Sequence, residues 1–178
     1  MRDLEAYLAQ CGLEPSLLDL TKTRASQING CAYWLDMHTK DARKDGESEQ
    51  RLYALDAWRE TPFYTEGEQA ALAWTEAVTL ITSGHVPDEL YQGVGQHFTE
   101  EELVYLTLAM VAINGWNRLT ISFAPYLEPT SHQSGSEDLD AICGASDVLQ
   151  RSSGGEKTIH LTDKQTIVPL FPLMTYFR

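Results

Sequence analysis

Cys31, Trp34 and His38 stand at i, i+3 and i+7 in the run Cys31-Ala32-Tyr33-Trp34-Leu35-Asp36-Met37-His38. On a helix these positions share one face. Two thiols and an imidazole so spaced form a relay that reduces peroxides. The imidazole takes a thiol proton, the thiolate attacks, and the other thiol closes a disulfide on the sulfenic acid. In this chain the middle place is tryptophan, whose indole N–H donates a hydrogen bond but cannot attack. Cys31 and His38 would then lie roughly 10 Å apart along the axis, too far for a direct hydrogen bond. Cys31 follows Asn29-Gly30 at the start of its helix, where the dipole favours thiolate. A one-cysteine reaction resolved by Cys11, Cys143 or an external thiol is the redox chemistry these residues allow. Taken alone, a lone helical cysteine is more often a small buried hydrophobe, and a lone histidine a hydrogen-bonded structural group.

The elements that must position these residues are helices. Leu4, Leu8 and Cys11 mark a short amphipathic helix that Gly12 can close. Glu14-Pro15-Ser16 restarts the chain, and Leu17, Leu20, Arg24 and Ile28 keep a helical spacing up to Asn29-Gly30. Further helices are expected over 31–45, over 47–58 and over about 68–83, the last behind a capping box of Thr65 and Glu68. A shorter helix opens at Pro87-Asp88. The longest, over 100–122, follows a second capping box of Thr99 and Glu102, with Glu100-Glu101-Glu102 suited to a first turn. The expected fold is all-α, a bundle of six to seven helices over 1–126. Residues 127–157 are rich in Ser, Gly, Asp and Glu and read as a polar linker. Residues 158–177 are apolar and β-branched with Pro169 and Pro172, and read as an irregular or short-β tail of unknown role.

Composition narrows the partners. The chain has 178 residues and a formal net charge of −13, which argues against nucleic acid and anionic membrane surfaces. No run of ~18 apolar residues exists to span a membrane, and the N-terminus lacks an apolar signal core. Three scattered cysteines do not make a disulfide scaffold, so a reducing cytoplasm is the expectation. His85 and His97 lack partners at ligand spacing, so no metal is expected, and no cofactor is implied.

Several stretches carry a family resemblance. Arg24-Ala25-Ser26-Gln27-Ile28-Asn29-Gly30-Cys31-Ala32-Tyr33 and Asp36-Met37-His38-Thr39-Lys40-Asp41-Ala42-Arg43 closely resemble the carboxymuconolactone decarboxylase/AhpD-like alkylhydroperoxidase superfamily. So do Glu49-Gln50-Arg51-Leu52, Trp58-Arg59-Glu60-Thr61-Pro62-Phe63, Ala71-Leu72-Ala73-Trp74-Thr75-Glu76 and Ile113-Asn114-Gly115-Trp116-Asn117-Arg118. The match runs in order over about residues 13 to 123. It implies an all-helical, oligomeric protein (dimer, trimer or hexamer) that reduces hydroperoxides through a glutamate–cysteine–histidine relay. Cys31 matches the first cysteine and His38 the histidine. The relay glutamate falls at Asp19, one methylene shorter, and the peroxide-attacking second cysteine falls at Trp34. Tyr33, Trp34 and Glu76 are expected as pocket or supporting residues, with Glu76 read more readily as a partner for Arg59 or Arg118. Asn114, Trp116, Asn117 and Arg118 are read as helix–helix packing rather than pocket lining.

Three functions follow. The first is an AhpD-like thiol peroxidase, impaired or working on one cysteine, with an external thiol as reductant. The second is a non-redox decarboxylase-like enzyme that uses His38 and Asp19 on a small acid or lactone. The third is a non-catalytic oligomeric binding protein whose C-terminal segment mediates contacts.

Overall fold

The structure is a computed structural model, and it describes residues 1–123. The expected linker and tail over 127–178 lie outside the described residues. Eight α-helices are found among the described residues: α1 Arg2–Leu8, α2 Pro15–Asn29, α3 Ala32–Lys44, α4 Glu49–Ala54, α5 Glu66–Thr79, α6 Ile81–Gly84, α7 Asp88–Val94 and α8 Glu100–Phe123. A 3-10 segment, Leu55–Glu60, follows α4. The all-α expectation holds, and the count differs from six or seven for local reasons. The expected helix over 47–58 tightens after Ala54 and kinks at Ala57 (φ −107°, ψ 29°). The expected helix over 68–83 breaks at Leu80 (φ −98°, ψ 30°), which detaches α6 as a single turn.

α2 is the central strut, packed against α3, α5 and α8. Its apolar side joins a core of Leu20, Ala42, Leu52, Leu55, Trp58, Tyr64 and Leu72. α8 contributes Leu106, Ala109, Met110 and Ile113, all essentially without solvent contact. Truncating a leucine in such a core to alanine costs about 2–5 kcal/mol. Three buried threonine hydroxyls are satisfied locally: Thr21, Thr23 and Thr75 each donate to a carbonyl one turn back.

Both capping boxes form. The Thr65 hydroxyl accepts from the Glu68 amide while Glu68 accepts from the Thr65 amide. Thr99 and Glu102 make the same reciprocal pair. Glu68 also holds Arg51, whose guanidinium donates to the Phe63 carbonyl and lies over the Tyr64 ring. That clamp fixes the link from α4 to α5 on the flank of α2.

Candidate active site

The corner between α2 and α3 is built by two residues. Gly30 ends α2 in the left-handed region (φ 66°, ψ 32°), a conformation that a side chain would strain. Its amide donates to the Gln27 carbonyl, and the Cys31 amide donates to the Ser26 carbonyl at 3.0 Å. This is the Schellman closure of a helix. The Cys31 carbonyl then accepts from the Leu35 amide at 3.0 Å, so Cys31 is also the N-cap of α3. Its residue is 1% exposed, and among the described residues no hydrogen bond joins its sulfur to His38.

Trp34 lies one turn into α3 and is buried. Its indole N–H donates to the Thr120 hydroxyl of α8 at 2.7 Å. The ring is stacked on His38 with centroids 5.3 Å apart, and is 5.7 Å from the tilted ring of Trp116. Tyr33 meets it edge-on at 5.6 Å. The position that would hold a second sulfur is therefore filled by an aromatic slab tied to α8. Trp116 comes from α8 as packing, as expected.

His38 is buried, and burial lowers its pKa to about 3, with the Lys22 ammonium pushing the same way. Among the described residues its buried Nε2 has no hydrogen-bond partner, and neither has the indole nitrogen of Trp116. The imidazole is thus neutral across the physiological range. Its ring resonances are expected not to titrate between pH 8 and pH 5; a transition near the ordinary value of about 6.5 would contradict this. Because the folded state disfavours the proton, the unfolded chain binds it first. His38 therefore withdraws stability as pH falls below about 6.5 towards 3.

Asp19 sits near the start of α2, about three turns before Cys31. It lines a cavity with Ser16, Ala42, Asp45, Gly46 and Glu47. Burial raises its pKa to about 6; Lys22 opposes this, and Asp45 and Asp41 reinforce it. Among the described residues no hydrogen bond links Asp19 to His38. The charge that reaches both is Lys22, which is itself paired with Glu5 of α1 at 2.9 Å. Sequence reading passed over Lys22, and its place one turn after Asp19 on α2 was the available signal.

Glu76 of α5 accepts from Arg24 Nε at 2.9 Å, Trp58 Nε1 at 3.0 Å and Arg59 Nη1 at 2.5 Å. The pairing with Arg59 was anticipated; Arg24, not Arg118, is the second cation. Burial alone would raise the Glu76 carboxyl, but the donors of Trp58, Arg59 and Arg24 hold it below its ordinary value. Arg24 also pairs with Asp56. A second polar seam joins α2 to α8. Asn29 donates to Asn114 at 2.9 Å and Asn117 at 2.7 Å, and Asn117 donates to the Ser26 hydroxyl at 3.2 Å. That seam ends beside the cysteine corner, so α8 is registered to α2 where Trp34 must find Thr120.

Comparison with known proteins places this geometry. Residues 1–77 match the Carboxymuconolactone decarboxylase family. The uncharacterized protein YdfG of Bacillus subtilis (strain 168) is 51% identical over 122 residues, covering 68% of this chain and 83% of that protein. A crystal structure from Agrobacterium tumefaciens, of a protein of unknown function proposed to be the antioxidant defence protein AhpD, is 45% identical. It superposes with a TM-score of 0.70 over 73% of this chain and 88% of that one. The chain belongs to the carboxymuconolactone decarboxylase/AhpD-like family. A more distant relative is the uncharacterized Escherichia coli (strain K12) protein YnjA, 28% identical over 111 residues, or 62% of this chain and 58% of that protein. The debrominase Bmp8, in complex with 2,3,4-tribromopyrrole, shares the fold at 21% identity, with a TM-score of 0.63 over 79% of this chain and 73% of that one. In the AhpD-like frame, this chain brings Cys31, Trp34 and His38 to one corner and leaves Asp19 and Glu76 in separate polar clusters. No helix among the described residues is long and apolar enough to cross a membrane.

Proposed function

We propose that the chain is an AhpD-like thiol peroxidase working on one cysteine. Cys31 reduces a small hydroperoxide, and an external thiol restores it. The observation that supports this reading is the corner itself. Cys31 keeps its place at the α2–α3 junction with His38 two turns on, while Trp34 occupies the second thiol's place. The Cys31 sulfur attacks the terminal peroxide oxygen, the O–O bond breaks, and the alcohol leaves with a proton, giving a sulfenic acid. One external thiol displaces water to form a mixed disulfide. A second external thiol attacks the mixed disulfide at the external sulfur, releases Cys31 as thiol and leaves as the external disulfide, so the two external thiols supply the two electrons that reduced the peroxide. Since Cys31 is 1% exposed, an external thiol reaches its sulfenic acid only through a local opening of the corner, so resolution is the slow step and slow turnover is expected. With dithiothreitol as reductant and cumene hydroperoxide as substrate, Cys31→Ser should lower consumption at least tenfold, whereas Cys11→Ser leaves it unchanged. Consumption that survives Cys31→Ser sinks this reading.

A second reading is favoured by the neutral, unpartnered Nε2 of His38. In it the neutral imidazole accepts a hydrogen bond from a small acid or lactone, its lowered pKa making it a poor proton acceptor, and Asp19, whose pKa is raised to about 6, is the acid–base group. Lactone turnover that persists in Cys31→Ser and vanishes in His38→Gln would select it.

A further inference from the structure

The four tryptophans of the chain are all buried, and a buried indole N–H ordinarily has an acceptor. Three of them do. Trp34 donates to Thr120 at 2.7 Å, Trp58 to Glu76 at 3.0 Å and Trp74 to Thr107 at 3.0 Å. Trp116 is the exception: among the described residues its buried Nε1 has no partner. The chain directions set that ring at the cysteine's end of the site. Asn29 meets Asn114 and Asn117, and Ser26 meets Asn117, so α2 and α8 run antiparallel. α3 turns back along α2 after Gly30, which is why Asp19 shares a cavity with Ala42 and Asp45. α3 therefore follows α8 in the same sense. The Trp34 ring lies against that of Trp116 and gives its own N–H to Thr120, one turn further along α8. Cys31 stands about 4.5 Å back from Trp34, towards the level of Trp116, and His38 about 6 Å the other way, towards the level of Thr120. Of the two unpartnered ring nitrogens, the indole's belongs to the thiol's end.

We propose that Trp116 holds the hydroperoxide at Cys31, its indole N–H donating to the oxygen that leaves. This rests on the one-cysteine reading above. As the sulfur bonds to the terminal oxygen, the O–O electron pair passes to the other oxygen, which departs as alcohol with the thiol proton. The indole keeps its own proton and gives a hydrogen bond to charge that grows on that oxygen in the transition state. A donor idle at rest and engaged only as charge develops favours the transition state over the ground state, which is the condition for acceleration.

The test is made on the full chain. Trp116→Phe keeps an aromatic ring and removes the donor. At fixed dithiothreitol, kcat/KM for cumene hydroperoxide reports the attack step and should fall at least tenfold, roughly the lower bound for losing one such donor. The kcat, set by resolution, should be kept. Alkylation of Cys31 by iodoacetamide, which expels iodide rather than an alkoxide, should not be slowed. An unchanged kcat/KM overturns the proposal, and so does an equal fall in peroxide reduction and alkylation, because the indole then serves packing alone. Should Trp116→Phe not fold, the natural chain decides by NMR. Cumyl alcohol, the product, should move the Trp116 indole proton downfield, and a resonance unmoved at the alcohol's solubility limit overturns the proposal. Cys31→Ser separates the two failures. Activity lost there but kept in Trp116→Phe sinks this inference alone, whereas activity kept in Cys31→Ser sinks both.

Discussion

Replacing Trp34 by cysteine is expected to raise hydroperoxide reduction by on the order of 10²–10³-fold. An external thiol at millimolar concentration resolves a sulfenic acid in a bimolecular step. A thiol one turn from Cys31 does so with an effective molarity far above that, and even about 1 M accounts for the gain. The substitution also has a structural cost. Trp34 is buried, stacked on His38 and hydrogen-bonded to Thr120. Emptying such a site costs about 3–5 kcal/mol, and the Thr120 hydroxyl loses a partner. The measurement is steady-state peroxide consumption below the variant's melting temperature, with folding checked by circular dichroism. Trp34→Ser is the control, because it opens the same space without a sulfur. A gain shared by serine would assign the effect to access. A folded Trp34→Cys variant with no gain would mean that tryptophan is not what limits the reaction.

Glu76→Ala should lower stability by about 2–3 kcal/mol, because Arg24 and the Trp58 indole each lose a charge-assisted hydrogen bond while Arg24 keeps Asp56, or roughly 5–10 °C in melting temperature. The loss comes from Arg24, whose side chain is 12% exposed, and from the buried indole N–H of Trp58. Arg59 is more than half exposed and contributes little. This carboxylate ties three elements together: α2, the 3-10 segment and α5. The same group sets an acid limb. Its pKa is lowered in the folded state, so its stabilisation is complete above the unfolded value of about 4.5 and declines as pH falls through the lower folded value. Urea unfolding at pH 7 and pH 4 should therefore show a smaller gap between natural chain and Glu76→Ala at the lower pH. A difference under 1 kcal/mol at pH 7 would show that the cluster is not a keystone.

The parts of this molecule legible in the sequence are those governed by nearest neighbours. The pairs Thr65/Glu68 and Thr99/Glu102 specify helix starts through contacts three residues apart, and Asn29-Gly30 specifies a stop through one backbone conformation. The helix breaks at Ala57 and Leu80 were not legible, because neither residue is a breaker and the backbone there yields to packing. The site was legible along α3, where helical spacing puts Trp34 against His38. It was not legible across elements. Lys22, whose charge acts on both Asp19 and His38, is paired with Glu5 of α1, a contact 17 residues apart in the chain. Glu76 drew Arg24 from 52 residues away for the same reason.

The doubly used corner at Cys31 makes chemistry and local unfolding report on one event. Its amide closes α2, its carbonyl opens α3 and its side chain is buried, so opening of the corner is the expected route by which the sulfur reaches solvent. Exchange of the Cys31 amide hydrogen and alkylation of its thiol should then share one opening constant. They should slow together when the corner is stiffened and quicken together when Gly30 is replaced. The corner thus acts as a clock for the thiol, and its rate can be read without any substrate.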